Sequence, residues 1–385
     1  MFEFYSAGRL IFGTGSFSQL GPVAKSEGNT ALIVLGKNAL RQSGIVNRLV
    51  KQLEENNIQY TFFEGLAHEP DVETIDKGVE LAKSSGCQLI IGIGGGSVLD
   101  TGKAIAGMVT NDGTVIDYLE GVGRGKQFVH PALPYIAIPT TSGTGSEVTK
   151  NAVISSSNPN NKYKVSIRSP LLIPKIALLD PELTVSLPPE PTAYSGLDAL
   201  TQLIEPYVSN NANPFTDTLA ISGIKLVGES LSDAYQTGDN LAAREKMMLA
   251  ALFSGYALAN AGLGAVHALA RPLGAYYLIP HGLACAILLP VIMELNLKYR
   301  MDKYAEIGIA LTGKPFENED IAAYAGLDAV QKLNQELKVP KDFKAYQIKP
   351  ADIPLLIEGA QGASLRDNPR ELAKADLTAL LHKLI

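Results

Sequence analysis

Two of the chain's five histidines, His267 and His281, fall in the stretch GLGAVHALARPLGAYYLIPHG at residues 262–282. His267 lies on a helix-compatible run that Pro272 and Gly274 are expected to end, and His281 follows a short loop, between Pro280 and Gly282. Two imidazoles fixed this way can share one ion. Upstream, GLDALTQLIEPY carries Asp198 and Gln202 four residues apart, so a helix there turns both side chains to one side. Asp198, His267 and His281 then offer one oxygen and two nitrogen donors, a set suited to zinc or ferrous iron with a position open for substrate. A lone histidine in an apolar run is ordinarily a hydrogen-bonded core or surface residue. The pairing, with a carboxylate on an upstream helix, is what points to a metal.

The elements that must position these residues read as two regimes. The first half alternates short apolar runs with helix-like segments, the pattern of a parallel sheet wound by helices. Strands are expected at 30–35, 59–63, 88–93 and 133–138, with helices at 44–56 and 73–84 and another from about Val98. The strand at 88–93 runs straight into Gly94, Gly95, Gly96 and Ser97. Strand, glycine run and helix together present backbone N–H groups and a helix N-terminus to a phosphate, and Ser97, Asp100 and Lys103 strengthen that reading over a plain tight turn. A second small, hydroxyl-rich loop, PTTSGTGSE at 139–147, follows the next strand, precedes an extended stretch at 148–154 and reads as another wall of a cofactor site.

At DPELTVSLPPEPTAYS, residues 180–195, four prolines interrupt any regular element and the strand signal stops. The expected division is a nucleotide-binding α/β domain at 1–184 and an all-α domain at 185–385. Helices are expected at 193–209, 214–231, 242–261, 282–299, 321–337 and 369–385.

Composition narrows the class of partner. With 385 residues, 46% hydrophobic, 19% charged and a formal net charge of −6, the chain reads as a soluble globular protein without a nucleic-acid or membrane partner. The start MFEFYSAGRLIFG lacks the form of a signal peptide and no segment approaches eighteen uninterrupted apolar residues, so a cytoplasmic location is expected. Cys87 and Cys285 show no CxxC spacing, which argues against a disulfide framework and a structural zinc site.

Taken together, GGGSVLDTGK at 94–103, PTTSGTGSE, DPELTVSLP, GLDALTQLIE, the 267–282 stretch and the triplet Asn368, Pro369, Arg370 resemble the iron-containing, or group III, alcohol dehydrogenases. The resemblance implies a Rossmann-like domain plus a helical domain, the fold shared with dehydroquinate synthase-like proteins. It also implies reversible reduction of an aldehyde or ketone with NAD(P)H at a divalent ion, Fe²⁺ or Zn²⁺, in a homodimer or larger homo-oligomer.

Carried over by residue, the resemblance puts the pyrophosphate on Gly95, Gly96 and Ser97, with Asp100 supporting the helix start. Thr140, Thr141, Ser142 and Thr144 line the cofactor, Lys164 sits near the nucleotide, and the ion goes to Asp198, His267 and His281. Two positions depart from the pattern: histidine is usual where Gln202 and Arg271 stand. Gln202 is expected near the ion or as a weak fourth ligand. Arg271 cannot shuttle protons; it is expected to fold back onto a carboxylate or helix-end carbonyls, to bind an anionic aldehyde, or to face the cofactor alone. No side chain is an evident general acid, so the proton is expected from water. NAD-selective relatives have Asp where Gly36 stands; with Gly36, Lys37 and Asn38 there and Arg41 close by, NADP is favoured over NAD. A metal-independent reductase using Arg271 and His267 is the alternative, and a nucleotide-binding protein without turnover a more distant one.

Overall fold

The computed structural model describes residues 1–66, 69–156, 158 and 162–385. They form two compact units, Tyr5–Leu187 and Pro188–Ile385, and the second also takes in Met1–Phe4. The division thus lies after Leu187 rather than after Thr184. The first four residues join the helical unit because Phe2 and Phe4 each bring a ring within 5.6 Å of the Phe215 ring.

In the first unit six strands, β1 (Arg9–Phe12), β2 (Thr30–Gly36), β3 (Gln59–Leu66), β4 (Leu89–Gly94), β5 (Tyr135–Pro139) and β8 (Ile176–Leu179), form a wholly parallel sheet in the order β1-β8-β5-β4-β2-β3. Two more, β6 (Asn151–Ser156) and β7 (Tyr163–Arg168), pair antiparallel beside it. The stretch expected to be extended from Val148 therefore begins later, after a 3₁₀ turn at Ser146–Val148. The short strands β1, at one edge, and β8, next to it, carry too little pattern to be read from sequence.

The central strands are apolar throughout because both sheet faces are covered. Leu32, Val34 and Ile90 point into one core with helices Val72–Ser84 and Gly96–Val109, whereas Ile33, Leu35, Ile91 and Ile93 point into the other with helix Ile45–Glu55. Chain order reverses between β2 and β4, and register sets Leu35 beside Ile93 and Gly94 beside Pro139. The carboxyl ends of β2, β4 and β5 therefore lie side by side at the switch point, where open α/β sheets bind ligands.

The helix after β4 starts at Gly96, two residues earlier than expected. Its buried face corrects the reading of two residues placed at the phosphate junction. Lys103 is fully buried, and its Nζ donates to Ser146 Oγ (3.1 Å), Thr149 Oγ1 (2.9 Å) and the Asn151 carbonyl (2.7 Å). Asp100 accepts from Ser146 Oγ and from the Val153 N–H (2.9 Å). Both side chains point inward and tie the helix to the 139–147 loop and to β6; neither faces outward toward a phosphate. Burial lowers the Lys103 ammonium to about 8, with Asp100 and Glu147 opposing.

The second unit is helical: Pro189–Val208, Pro214–Gln236, Leu241–Ala261, Ala265–Tyr277, His281–Asn296, Met301–Thr312, Glu319–Glu336, Ile353–Gly359, Ala363–Asp367 and Lys374–Leu384. Helices 301–312, 353–359 and 363–367 were not expected. Pro272 does not end its helix, which runs on to Tyr277. Its ring packs against Gly359, where a Cβ would come within 2.9 Å of it, so tertiary contact offsets the one lost backbone bond. Helix His281–Asn296 with the turn to Tyr299 is long and apolar enough to cross a membrane by composition, yet 61% of that window is buried inside the unit. Its apolarity belongs to the core, which holds Leu283 through Leu289.

Glu147 carries a pH dependence. Burial drives its carboxyl up to about 7, against the pull of Lys103. A carboxyl raised in the folded state contributes stability that is present below its unfolded range and is lost as pH rises through its folded value. Glu147→Gln, neutral throughout, should therefore gain stability relative to the parent as pH rises from the ordinary carboxylate range to about 7. Urea midpoints across that window measure it; a gap that stays flat or narrows would refute the assignment.

Candidate active site

Three helices of the second unit converge on one buried cluster. Helix Pro189–Val208 turns Asp198, Gln202 and Glu205 to one face, all buried. Helix Ala265–Tyr277 carries His267 in its first turn, and helix His281–Asn296 opens with His281 and brings Cys285 one turn later. Gly282 permits the approach: a Cβ there would stand 2.2 Å from the Tyr194 carbonyl oxygen, so no larger residue lets this helix start lie against helix Pro189–Val208.

The donors meet closely. Asp198 Oδ1 lies 3.3 Å from His267 Nε2 and 3.6 Å from His281 Nε2, and Cys285 Sγ lies 3.9 and 3.8 Å from the same two nitrogens. Donor atoms of Asp198, His267, His281 and Cys285 all fall within 4.8 Å of one another. Asp198 Oδ1 is buried with no hydrogen-bond partner among the described residues. His267 Nδ1 faces Glu205 Oε2 at 2.6 Å, and Glu205 Oε1 also accepts from the Val266 N–H. With Nδ1–H donated to that carboxylate, Nε2 faces the cluster and offers its lone pair to an ion once its own proton leaves, the arrangement of a carboxylate–histidine–metal relay.

The electrostatics agree. Burial alone would raise the Asp198 carboxyl, but the facing His281 and His267 rings outweigh it and hold the carboxyl below its usual range. Burial opposes protonation of His267, yet Cys285, Glu205 and Asp198 hold it well above the usual imidazole range. Burial pushes the Cys285 thiol up to about 11, with His267 pulling the other way. Two buried carboxylates concentrate a field that favours positive charge placed among the donors. The residues fit a divalent ion.

Gln202, expected near the ion or as a weak fourth ligand, lies beside Asp198 with its amide engaged on both sides. Its amide nitrogen donates to Asp198 Oδ2 (2.9 Å) and its carbonyl oxygen accepts from Ser254 Oγ (3.0 Å). Reversing the amide would set its oxygen against the carboxylate. Cys285 is the residue that sequence reasoning missed. The signal was its place four residues after His281, but a search for CxxC spacing does not test a His and a Cys one helical turn apart.

In the first unit the glycine turn and the hydroxyl-rich loop touch. Gly95 caps helix Gly96–Val109 in extended conformation, and a Cβ on Gly96 would meet Thr144 Cγ2 at 2.5 Å. Thr140 N–H donates to the Gly94 carbonyl, Thr141 lies beside Gly95, and Ser142 Oγ is buried without a partner. First-turn N–H groups such as those of Gly96 and Ser97 have no acceptor inside the helix, the usual basis of a phosphate site. Lys164 Nζ pairs with Glu69, and Arg41 pairs with Glu64 while lying 4.9 Å over the Phe62 ring. Gly36 ends β2, followed by the exposed Lys37 and Asn38.

The family model for iron-containing alcohol dehydrogenase matches residues 7–181, and that for the C-terminal region of the Fe-containing alcohol dehydrogenase family matches residues 192–385. The chain belongs to the iron-containing alcohol dehydrogenase family. It is 38% identical to the probable alcohol dehydrogenase EutG of Escherichia coli, covering 96% of this chain and 91% of that protein. It is 35% identical to alcohol dehydrogenase 4 of Saccharomyces cerevisiae, covering 99% and 97%. A crystal structure of 1,3-propanediol oxidoreductase superposes with a TM-score of 0.94 over all of both chains at 33% identity. As a member of this family the chain is an oxidoreductase acting between alcohols and aldehydes, in a family that uses NAD(P) and a divalent metal.

Arg271, the second departure from the family pattern, is engaged by the protein itself. Its Nη2 donates to the carbonyls of Gly359 (2.7 Å) and Gln361 (2.9 Å) at the end of helix Ile353–Gly359, where orphan carbonyls and the helix dipole favour a cation. Removing it should cost about 1–3 kcal/mol of stability. In kinetics with neutral and anionic aldehydes of equal length, Arg271→Ala should lower kcat/KM equally for both. A loss confined to the anionic aldehyde would reassign the residue to substrate binding.

Proposed function

We propose that this chain interconverts a primary alcohol and an aldehyde with NADP(H) as the favoured nucleotide, at a divalent ion held by Asp198, His267 and His281. The single observation carrying the reading is the buried Asp198 Oδ1, without a hydrogen bond among the described residues and 3.3 and 3.6 Å from two imidazole nitrogens. When bound, the ion supplies Lewis acidity toward a carbonyl oxygen and the nicotinamide supplies the hydride. Glu205 orients His267 and fixes its tautomer, while Gln202 and Ser254 hold Asp198 in place. The turn Gly94–Ser97 and the loop from Thr140 to Thr144 receive the dinucleotide, with N–H groups toward its pyrophosphate. Homo-oligomeric assembly in the cytoplasm belongs to the same reading.

Against the metal-independent alternative stands Arg271, whose Nη2 donates to the carbonyls of Gly359 and Gln361. The test is an aldehyde panel with NADPH and NADH, with and without Fe²⁺ and Zn²⁺, on protein purified without chelator. Metal content and turnover should fall together in His267→Ala. A metal-free parent, and a His267→Ala variant with full turnover, would sink the proposal.

Nucleotide preference rests on Gly36. Among the described residues a Cβ there would meet Val98 Cγ2 alone, at an ordinary 3.6 Å, which leaves room for an acidic side chain beside the switch point. Gly36→Asp should repel a 2′-phosphate and accept a 2′-hydroxyl, moving the NADPH to NADH ratio of kcat/KM toward NADH on the order of 10- to 100-fold. A parent that already favours NADH strongly would contradict this reading.

A further inference from the structure

Gln202 leaves the cluster one donor short of the four that the family pattern implies, and the structure puts a thiol in reach instead. An ion with bonds of about 2.0–2.1 Å to nitrogen and oxygen and about 2.3 Å to sulfur needs tetrahedral donors spaced about 3.3–3.6 Å apart. The four donor pairs that link Asp198 Oδ1 and Cys285 Sγ to the two imidazole Nε2 atoms run from 3.3 to 3.9 Å. Cys285 is fully buried, and a buried cysteine is ordinarily a small apolar residue among apolar neighbours. This one instead faces two imidazoles and a carboxylate oxygen that has no other partner. Helix geometry explains its aim, because His281 and Cys285 are one turn apart on helix His281–Asn296.

We propose that Cys285 is a metal ligand of this chain, completing with Asp198, His267 and His281 a four-donor site that prefers zinc to ferrous iron. The proposal rests on the metal reading of the same cluster and names the donor set peculiar to this sequence. On binding, the sulfur–hydrogen bond breaks, the proton leaves to solvent, and the sulfur lone pair forms the bond to the ion. Charge supports the exchange. The thiolate adds a second anionic donor beside the Asp198 carboxylate in direct reach of the ion, whereas a glutamine oxygen would add only a neutral one. Soft sulfur selects zinc over ferrous iron, where imidazole serves both. Gln202 cannot serve without giving up its bonds to Asp198 and Ser254.

The full chain, stripped of metal and reloaded with Co²⁺, reports the ligand directly by spectroscopy. The parent should show a near-ultraviolet sulfur-to-cobalt charge-transfer band that titrates to one ion per chain, and Cys87→Ser should keep it. Cys285→Ser should lose the band and bind Co²⁺ and Zn²⁺ more weakly, by at least the roughly 10- to 100-fold that loss of an outer partner brings. Cys285→Ser combined with Gln202→His should recover affinity without the band and shift preference back toward Fe²⁺ relative to the parent. Co²⁺ bound without the band, or bound equally tightly by Cys285→Ser, overturns the thiolate ligand and leaves the Asp198–His267–His281 reading standing. No Co²⁺ bound by the parent at all overturns both.

Discussion

A carboxylate oxygen buried without a hydrogen bond is the constraint around which the helical unit is built. Asp198 Oδ1 can be tolerated inside a protein only where positive charge compensates it, and the nearest groups able to provide or hold that charge are two imidazole nitrogens and a thiol. The surrounding packing follows from that need. Gly282 lets one helix start close on the Tyr194 carbonyl, Glu205 turns the His267 ring, and Gln202 with Ser254 holds the other oxygen of Asp198. Little in this cluster is free to relax.

In the first unit the corresponding constraint is the parallel sheet, whose strands are covered on both faces and end in line at the switch point. The residues beyond those ends are small or hydroxylic because turn and loop press on each other, as Gly96 does on Thr144. Beneath them lies a second buried ionic group. Lys103 has all three of its donors satisfied by Ser146, Thr149 and Asn151, and Asp100 ties the same helix to Val153. The hydroxyl-rich loop is thus held from below by charge and from the side by steric fit.

The two departures from the family pattern have different physical outcomes. At Gln202 a neutral amide takes up the carboxylate lone pair on the side away from the donors and becomes a brace for Asp198. At Arg271 a permanent cation finds the carbonyl end of another helix, which takes up a guanidinium without a counter-carboxylate. In both cases the side chain satisfies itself within the protein.

Residue types and spacing in the sequence were enough to determine the family, the alternation of strands and helices in the first half, the helical character of the second, and Asp198, His267 and His281 as a converging set. Those signals are local. Period, glycine and proline punctuation and i,i+4 spacing are written along the chain. Only tertiary structure decided the rest: that helix Ala265–Tyr277 runs through Pro272, that Asp100 and Lys103 turn inward, that Gln202 braces Asp198, and that Cys285 stands among the donors. Each depends on a partner dozens of residues away or on a neighbouring helix, and which of its possible hydrogen bonds or contacts a side chain makes is settled by whichever partner folding brings within reach.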